Sequence, residues 1–157
     1  MNVTPMRRAE KEVTDPAWCR AVLDEAPYLV LALNDGGAPY VVPLCVALAG
    51  GGIYLHMAAA GRKLDLLLAD PRAGFAAVAH AAVVPGATAC ATGMRASSVA
   101  GTARCAVVDD PGERRSALDA FARKYTGAVP DGYPEAALDA MVVVRLDPIS
   151  ITGRRTG

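Results

Sequence analysis

One short stretch near the middle of the chain brings together residues able to do chemistry. His56 is followed by Met57-Ala58-Ala59-Ala60, then Gly61-Arg62-Lys63, then the apolar run from Leu64 to Leu68. Ile53 to Met57 reads as a buried strand, and Lys63 to Ala69 as a short helix closed by Asp70-Pro71, because the residue before a proline avoids the α region. A helix N-terminus carries unpaired N–H groups and the positive end of the helix dipole, so Arg62 and Lys63 add full charge where backbone dipoles already favour an anion. Gly61 lets the backbone approach that anion closely. The stretch reads as a phosphate cradle beside a strand that holds whatever flat group the phosphate carries. A solvated basic turn is the other reading of the same residues. His56 is likewise open between two roles: a donor or ligand at a bound group, or a hydrogen-bonded structural histidine. His80, at the end of an alanine-rich strand, is a weaker candidate. The two histidines lie far apart without nearby carboxylates, so no metal site is expected.

These residues need a scaffold, and most of it reads as β-structure. Thr14 or Asp15 caps a first helix that opens at Pro16 and stops before Pro27. Tyr28 to Leu33 is a strand, Asn34-Asp35-Gly36-Gly37 a hairpin turn, and Pro39 to Leu48 the returning strand. Gly50-Gly51-Gly52 turns the chain into the strand that carries His56. After the short helix come strands at Ala73 to Ala81 and Ser98 to Val108, separated by Ala82 to Arg95, which reads as a long loop or an irregular edge. Asp110 caps a helix with Pro111 in its first turn, running through Lys124. A further helix follows Pro134, and Met141 to Leu146 is the last strand. About six antiparallel strands with helices at the start and near the end predict a mainly β fold with α additions, a closed or split barrel, forming one domain over residues 1–157.

Composition narrows the partners. Among 157 residues, Lys plus Arg and Asp plus Glu both number 16, so no basic field for nucleic acid or anionic lipid is expected. The pairs Arg7-Arg8 and Arg154-Arg155 read as solubilising charges. Cys19, Cys45, Cys90 and Cys105 show no metal or redox spacing and read as reduced and mostly buried. Met1 to Lys11 has no apolar core of a secretory signal, so a cytoplasmic location is expected. Ala38 to Gly61 and Ala73 to Met94 lack charge, but their prolines and glycines argue against membrane spans.

With the elements placed, the chain resembles the pyridoxamine 5'-phosphate oxidase-like split-barrel flavoproteins, nearest the nitroimidazole-resistance branch. The resemblance runs from about Met6 to Arg155. It is carried by Met6-Arg7-Arg8, Pro39-Tyr40-Val41-Val42-Pro43-Leu44, Ile53-Tyr54-Leu55-His56 with Gly61-Arg62-Lys63, Asp109-Asp110-Pro111 with Arg114 and Leu118, Lys124-Tyr125-Thr126-Gly127, Tyr133-Pro134-Glu135, and Ile149-Ser150-Ile151-Thr152-Gly153. It implies an antiparallel split barrel that forms a homodimer with FMN at the subunit interface. It implies that Gly61, Arg62 and Lys63 hold the FMN phosphate, that Val42, Pro43, Leu44, Tyr54, Leu55 and His56 border the isoalloxazine, and that His56 is the catalytic candidate. Where the nitroimidazole-resistance pattern has a tryptophan and then Tyr-Arg-Ser, this chain has Thr92 and Ala96-Ser97-Ser98. Ser98 alone carries over, as a hydrogen bond to flavin or phosphate, and Arg95 stands where it could replace the missing cation.

The function implied is an FMN-dependent oxidoreductase acting on nitro compounds, quinones or a similar small electron acceptor. No nicotinamide-binding glycine loop is present, so a nicotinamide reductant would need an open surface. Two other readings keep the fold. The same barrel could hold the deazaflavin F420 on the Arg62–Lys63 cradle, or haem on His56. Alternatively, the changed residues at Thr92, Ala96 and Ser97 leave a dimeric ligand sensor or partner-binding module.

Overall fold

The structure, a computed structural model, describes residues 6–157. A 3₁₀ turn at Ala9–Lys11 leads into the two-residue strand β1 (Glu12–Val13) and helix α1 (Pro16–Glu25). Asp15 caps α1, its carboxylate accepting from the Ala17 N–H at 3.0 Å, with Pro16 in the first turn as expected. Strands β2 (Leu29–Asp35) and β3 (Ala38–Leu44) form a hairpin. Gly36 and Gly37 take φ of +60° and +97° there, and the Asn34 side chain accepts from the Gly37 N–H at 2.8 Å. Next come β4 (Val46–Ala49), β5 (Gly52–Ala58), α2 (Arg62–Ala69), β6 (Arg72–Val84) and β7 (Gly93–Val107). Helices α3 (Pro111–Thr126, capped by Asp110) and α4 (Glu135–Asp139) precede the final strand β8 (Met141–Thr156).

The strands form one antiparallel sheet in the order β3-β2-β6-β7-β8-β5-β4, with β1 added on β8. The two edge strands, β3 and β4, are separated in the chain by Cys45 alone, so the sheet's ends are tied together at one residue and the sheet curls into a split barrel. Here the sequence reading needs correction: Pro39 to Leu48 is not one strand. It breaks at Cys45, and its halves pair at opposite edges, β3 with β2 and β4 with β5. No glycine or proline marks the break because side chains from α3 make it. The Val46 N–H donates to the Tyr125 hydroxyl at 3.0 Å, and Lys124 Nζ donates to the Val46 carbonyl at 2.8 Å and to the Leu23 carbonyl at 3.2 Å.

Two further expectations change. Residues 82–95, read as a long loop or an irregular edge, divide between the two: their ends are strand and residues 85–92, with a 3₁₀ turn at Ala89–Ala91, are loop. β6 and β7 continue past the barrel as a two-stranded arm, with Ala82, Val83 and Val84 opposite Arg95, Met94 and Gly93. A bulge precedes the arm, where His80 holds φ +54°, a conformation few side chains adopt. The last strand runs ten residues beyond Leu146, to Thr156, passing a second irregularity where Thr102 and Ala103 face Ser150 and Pro148.

The core has two parts. Leu29, Leu31, Leu55, Val99 and Leu146 fill the barrel, closed by Val22 and Leu23 of α1 and by Leu64 and Leu67 of α2. A smaller cluster lies outside β5 and β8, where α3 packs Ala117, Leu118 and Phe121 onto Tyr54 and Val143. Strand alternation on β5 serves both: Ile53, Leu55 and Met57 point into the barrel, and Tyr54 and His56 point toward α3. Each buried Leu or Phe stabilises the fold by roughly 1.5–3 kcal/mol. Among the described residues, no helix is long and apolar enough to cross a membrane.

Candidate functional site

Helix α2 begins one residue earlier than the sequence predicts, at Arg62, and the reason lies at its N-cap. Gly61 has φ +107°, makes no side-chain cap, and a Cβ placed there would meet open space. The first intrahelical bond is Leu64 N–H to the Gly61 carbonyl at 2.9 Å, so the N–H groups of Arg62 and Lys63 have no intrahelical partner. Lys63 is half-buried and Arg62 exposed. The Arg62 guanidinium pairs with Asp35 and lies 5.2 Å from the centre of the Tyr40 ring. Its side chain is 68% exposed and that of Asp35 31%, so an anion with more charge than one carboxylate competes for Arg62 at small cost. An uncapped helix start flanked by two cations fits a phosphate group.

The cradle opens onto the split in the barrel. β3 is an edge strand whose only ladder is with β2. On β5, Gly52 to Leu55 pair with β4, whereas His56, Met57 and Ala58 have strand partners only on the β8 side. Among the described residues, these two backbone edges have no strand partner, which leaves N–H and C=O groups free to bond another molecule. Side chains contribute less than the sequence predicts. Val42 and Leu44 pack toward the barrel core, and Leu55 is 0% exposed within it. Tyr54 is 6% exposed under α3, its hydroxyl donating to Glu113 at 3.0 Å; Glu113 also accepts from Arg145 at 2.9 Å. Burial first and the Glu113 bond second push the Tyr54 hydroxyl's pKa up, so it stays neutral. Pro43 is exposed on the outer edge.

His56 lies half-buried with its ring edge-on to Phe121, centroids 4.7 Å apart. Phe121 in turn stacks on Tyr125 at 6.3 Å. Desolvation, and then the positive charge of Lys63, lower the His56 pKa below its ordinary value. The ring is thus a neutral imidazole at neutral pH, able to donate through one nitrogen and accept or ligate through the other. His80, by contrast, is exposed and bonds Glu25 of α1 through Nε2 at 2.7 Å, which gives it a structural partner at the arm's base.

The structure brings Gly61, Arg62, Lys63 and the His56 edge of β5 together, but it leaves Ser98 elsewhere. Ser98 pairs across to Val78 and Arg154, toward the arm, and its hydroxyl donates to the Arg154 carbonyl at 3.5 Å. Arg95 lies on the arm itself. Asp35, Tyr40 and Phe121 join the site without having been singled out as ligand residues. Asp35 reads as a turn residue, and nothing in its local pattern announces a partner 27 positions away. Tyr40 is an aromatic in a Pro/Val strand, a signal available but used only for the resemblance. Cys19 and Cys105 are buried, but Cys45 and Cys90 are exposed, correcting the expectation that the cysteines are mostly buried.

No protein of curated function matches the chain. Among solved structures, the fold is similar to that of a candidate 5-nitroimidazole antibiotic resistance protein from Bacteroides thetaiotaomicron, with 24% identity, TM-score 0.77, and 90% of this chain and 84% of that one covered. It is similar to the flavocytochrome Anf3 from Azotobacter vinelandii, with 18% identity, TM-score 0.80, and 97% and 72% covered. It is also similar to the FAD- and haem-binding protein from Mycobacterium smegmatis, with 20% identity, TM-score 0.80, and 93% and 73% covered. A family model described as pyridoxamine 5'-phosphate oxidase matches residues 15–155, and the chain belongs to that family.

Proposed function

We propose that the protein is an FMN-dependent oxidoreductase that passes electrons from a reduced nicotinamide to a small planar acceptor such as a nitro compound or a quinone. The observation that carries this reading is the uncapped start of α2, with Arg62 and Lys63, opening onto the unpaired edges of β3 and His56–Ala58. Bound flavin supplies the two-electron redox centre, and the chain's own residues bind and orient it. Arg62 and Lys63 hold the phosphate with the first N–H groups of α2. The unpaired backbone edges bond the polar rim of the ring. Neutral His56 donates a hydrogen bond to ring or acceptor, and Phe121 fixes its orientation. A cytoplasmic location, where reduced nicotinamides are plentiful, belongs to the same proposal.

The working unit we propose is a homodimer. Across the outer face of the sheet run two uncharged rows of neighbours, Val41-Ala32-Gly74-Thr102-Ser150 and Pro43-Val30-Ala76-Ala100-Thr152. These two rows, bounded by Arg72 and Arg104 on one side and by Arg154 on the other, suit a second copy of the chain, and they reach β3, so a dimer through them covers one wall of the site.

The test is an absorbance spectrum during FMN titration, with Arg62→Ala/Lys63→Ala in parallel. Charge-assisted hydrogen bonds contribute about 1.5–3 kcal/mol each, so the double variant is expected to bind FMN at least tenfold more weakly. Equal affinity in the two proteins would sink the cradle. Haem or F420 is the second reading, haem favoured by the neutral, half-buried His56 ring and F420 by the same Arg62–Lys63 cradle; a Soret band in the purified protein or preferential F420 uptake would put it first.

A further inference from the structure

The basic pairs at the two ends of the described chain read as solubilising charges in the sequence, yet the β1–β8 ladder brings them side by side. Glu12 lies opposite Arg154 and Val13 opposite Gly153, which carries the preceding segment over the end of β8. Arg7, Arg8 and Arg154 line one concavity of 540 Å³. Arg154 is shared with a second concavity of 580 Å³, where Lys11 stands on one side and Val78, Val84 and Met94 form an apolar wall on the other. Among the described residues, none of these four cations forms an ion pair, whereas Arg62, Arg72, Arg115 and Arg145 all do. The carboxylates at hand are Glu10, which is exposed, and Glu12, which faces Arg154 in the ladder without ion-pair contact. Four cations without an ion-pair partner, lining two adjoining concavities, make a local positive field that favours an anion. Val78, Val84 and Met94 are 47%, 44% and 57% exposed, an apolar surface that a flat base would cover.

We propose that this double bay is a second nucleotide site, taking the adenosine diphosphate group of a dinucleotide. The base lies on Val78, Val84 and Met94, and the phosphates lie on Lys11, Arg154 and the Arg7–Arg8 pair. The bay is distinct from the α2 cradle. Ser98, on its floor, lies about 20 Å along β7 from the level of Asp35, at roughly 3.3 Å per residue. Within one protomer it therefore serves a molecule other than the one whose phosphate rests at Arg62. On the oxidoreductase reading, on which the ligand's identity but not the site rests, that molecule is the nicotinamide reductant, for which the chain has no glycine-loop motif.

The experiment is calorimetric titration of the full chain with ADP, repeated for Arg8→Ala/Arg154→Ala and for Met94→Asp, with FMN affinity measured in each. Expected are saturable ADP binding that weakens with salt, at least a tenfold loss in both variants, and unchanged FMN affinity. In turnover, the KM for the reduced nicotinamide rises at least tenfold in the arginine variant while kcat holds. If instead FAD binds more tightly than FMN and that advantage disappears in the arginine variant, the bay stands as an adenosine site for a flavin held by the α2 cradle of a second copy, and the nicotinamide assignment is overturned. ADP binding with no flavin uptake also keeps the bay and removes the oxidoreductase reading. No ADP binding, or equal binding in wild type and variants, overturns the proposal.

Discussion

His56 links burial to proton binding. Its pKa is lowered in the folded chain, so over the range below the ordinary histidine value of about 6.5 the unfolded state binds more protons than the folded one, and stability rises with pH through that range. His56→Gln is expected to flatten this part of the profile, read as urea midpoints from about pH 5 to pH 8. A pH slope identical to wild type would show that the ring is not desolvated as described. The cysteines offer a second check at the same scale. Burial pushes the Cys105 thiol up to about 11 and raises that of Cys19, whereas Cys45 and Cys90 are exposed. A thiol reagent at neutral pH is expected to label two cysteines quickly in the native protein and the other two only on unfolding. At this scale the sequence was informative about Gly61-Arg62-Lys63, whose chemistry is local. It was silent about Asp35 and Phe121, whose relation to the site exists only once β2 and α3 are packed.

Among the elements, those with local punctuation were legible. α1 and α3 carry Asp-Pro starts, the β2–β3 hairpin carries paired glycines, and all three lie within a few residues of where the sequence puts them. The break at Cys45 was not legible, because Leu44-Cys45-Val46-Ala47 has no turn residue and the corner is imposed from a distance by Lys124 and Tyr125. The arm was half legible: Pro85 and Gly86 mark the loop at its tip, but nothing local shows that tertiary pairing carries the ladder out to Val84 and Gly93. The corner gives a prediction. Tyr125→Phe leaves the Val46 N–H without the hydroxyl it donates to, and is expected to destabilise the protein by about 1–3 kcal/mol in urea unfolding. A change below about 0.3 kcal/mol would mean that β3 and β4 are held apart by other contacts.

For the whole molecule, the sheet's two faces do different work. The inner face makes the core, and the outer one presents uncharged rows from β3 to β8. Ala100 lies within one row, between Ala76 and Thr152, and is exposed in the single chain. If that face joins two copies, Ala100→Arg places a desolvated charge within the contact and shifts the assembly toward monomer, read as molar mass by light scattering. A variant that keeps the wild-type mass would place the contact elsewhere or remove it.

The single residue between β3 and β4 also says where this protein is fragile. Gly50 and Gly51 turn the chain between neighbouring strands, and an insertion there lengthens a loop without changing which strands are edges. An insertion at Cys45 releases two sheet margins from each other at once, each with unpaired N–H and C=O groups ready to accept a strand from another chain. The seam is therefore the place from which strand exchange and aggregation would begin, and on the proposed function a flavin seated in it would guard the chain against both.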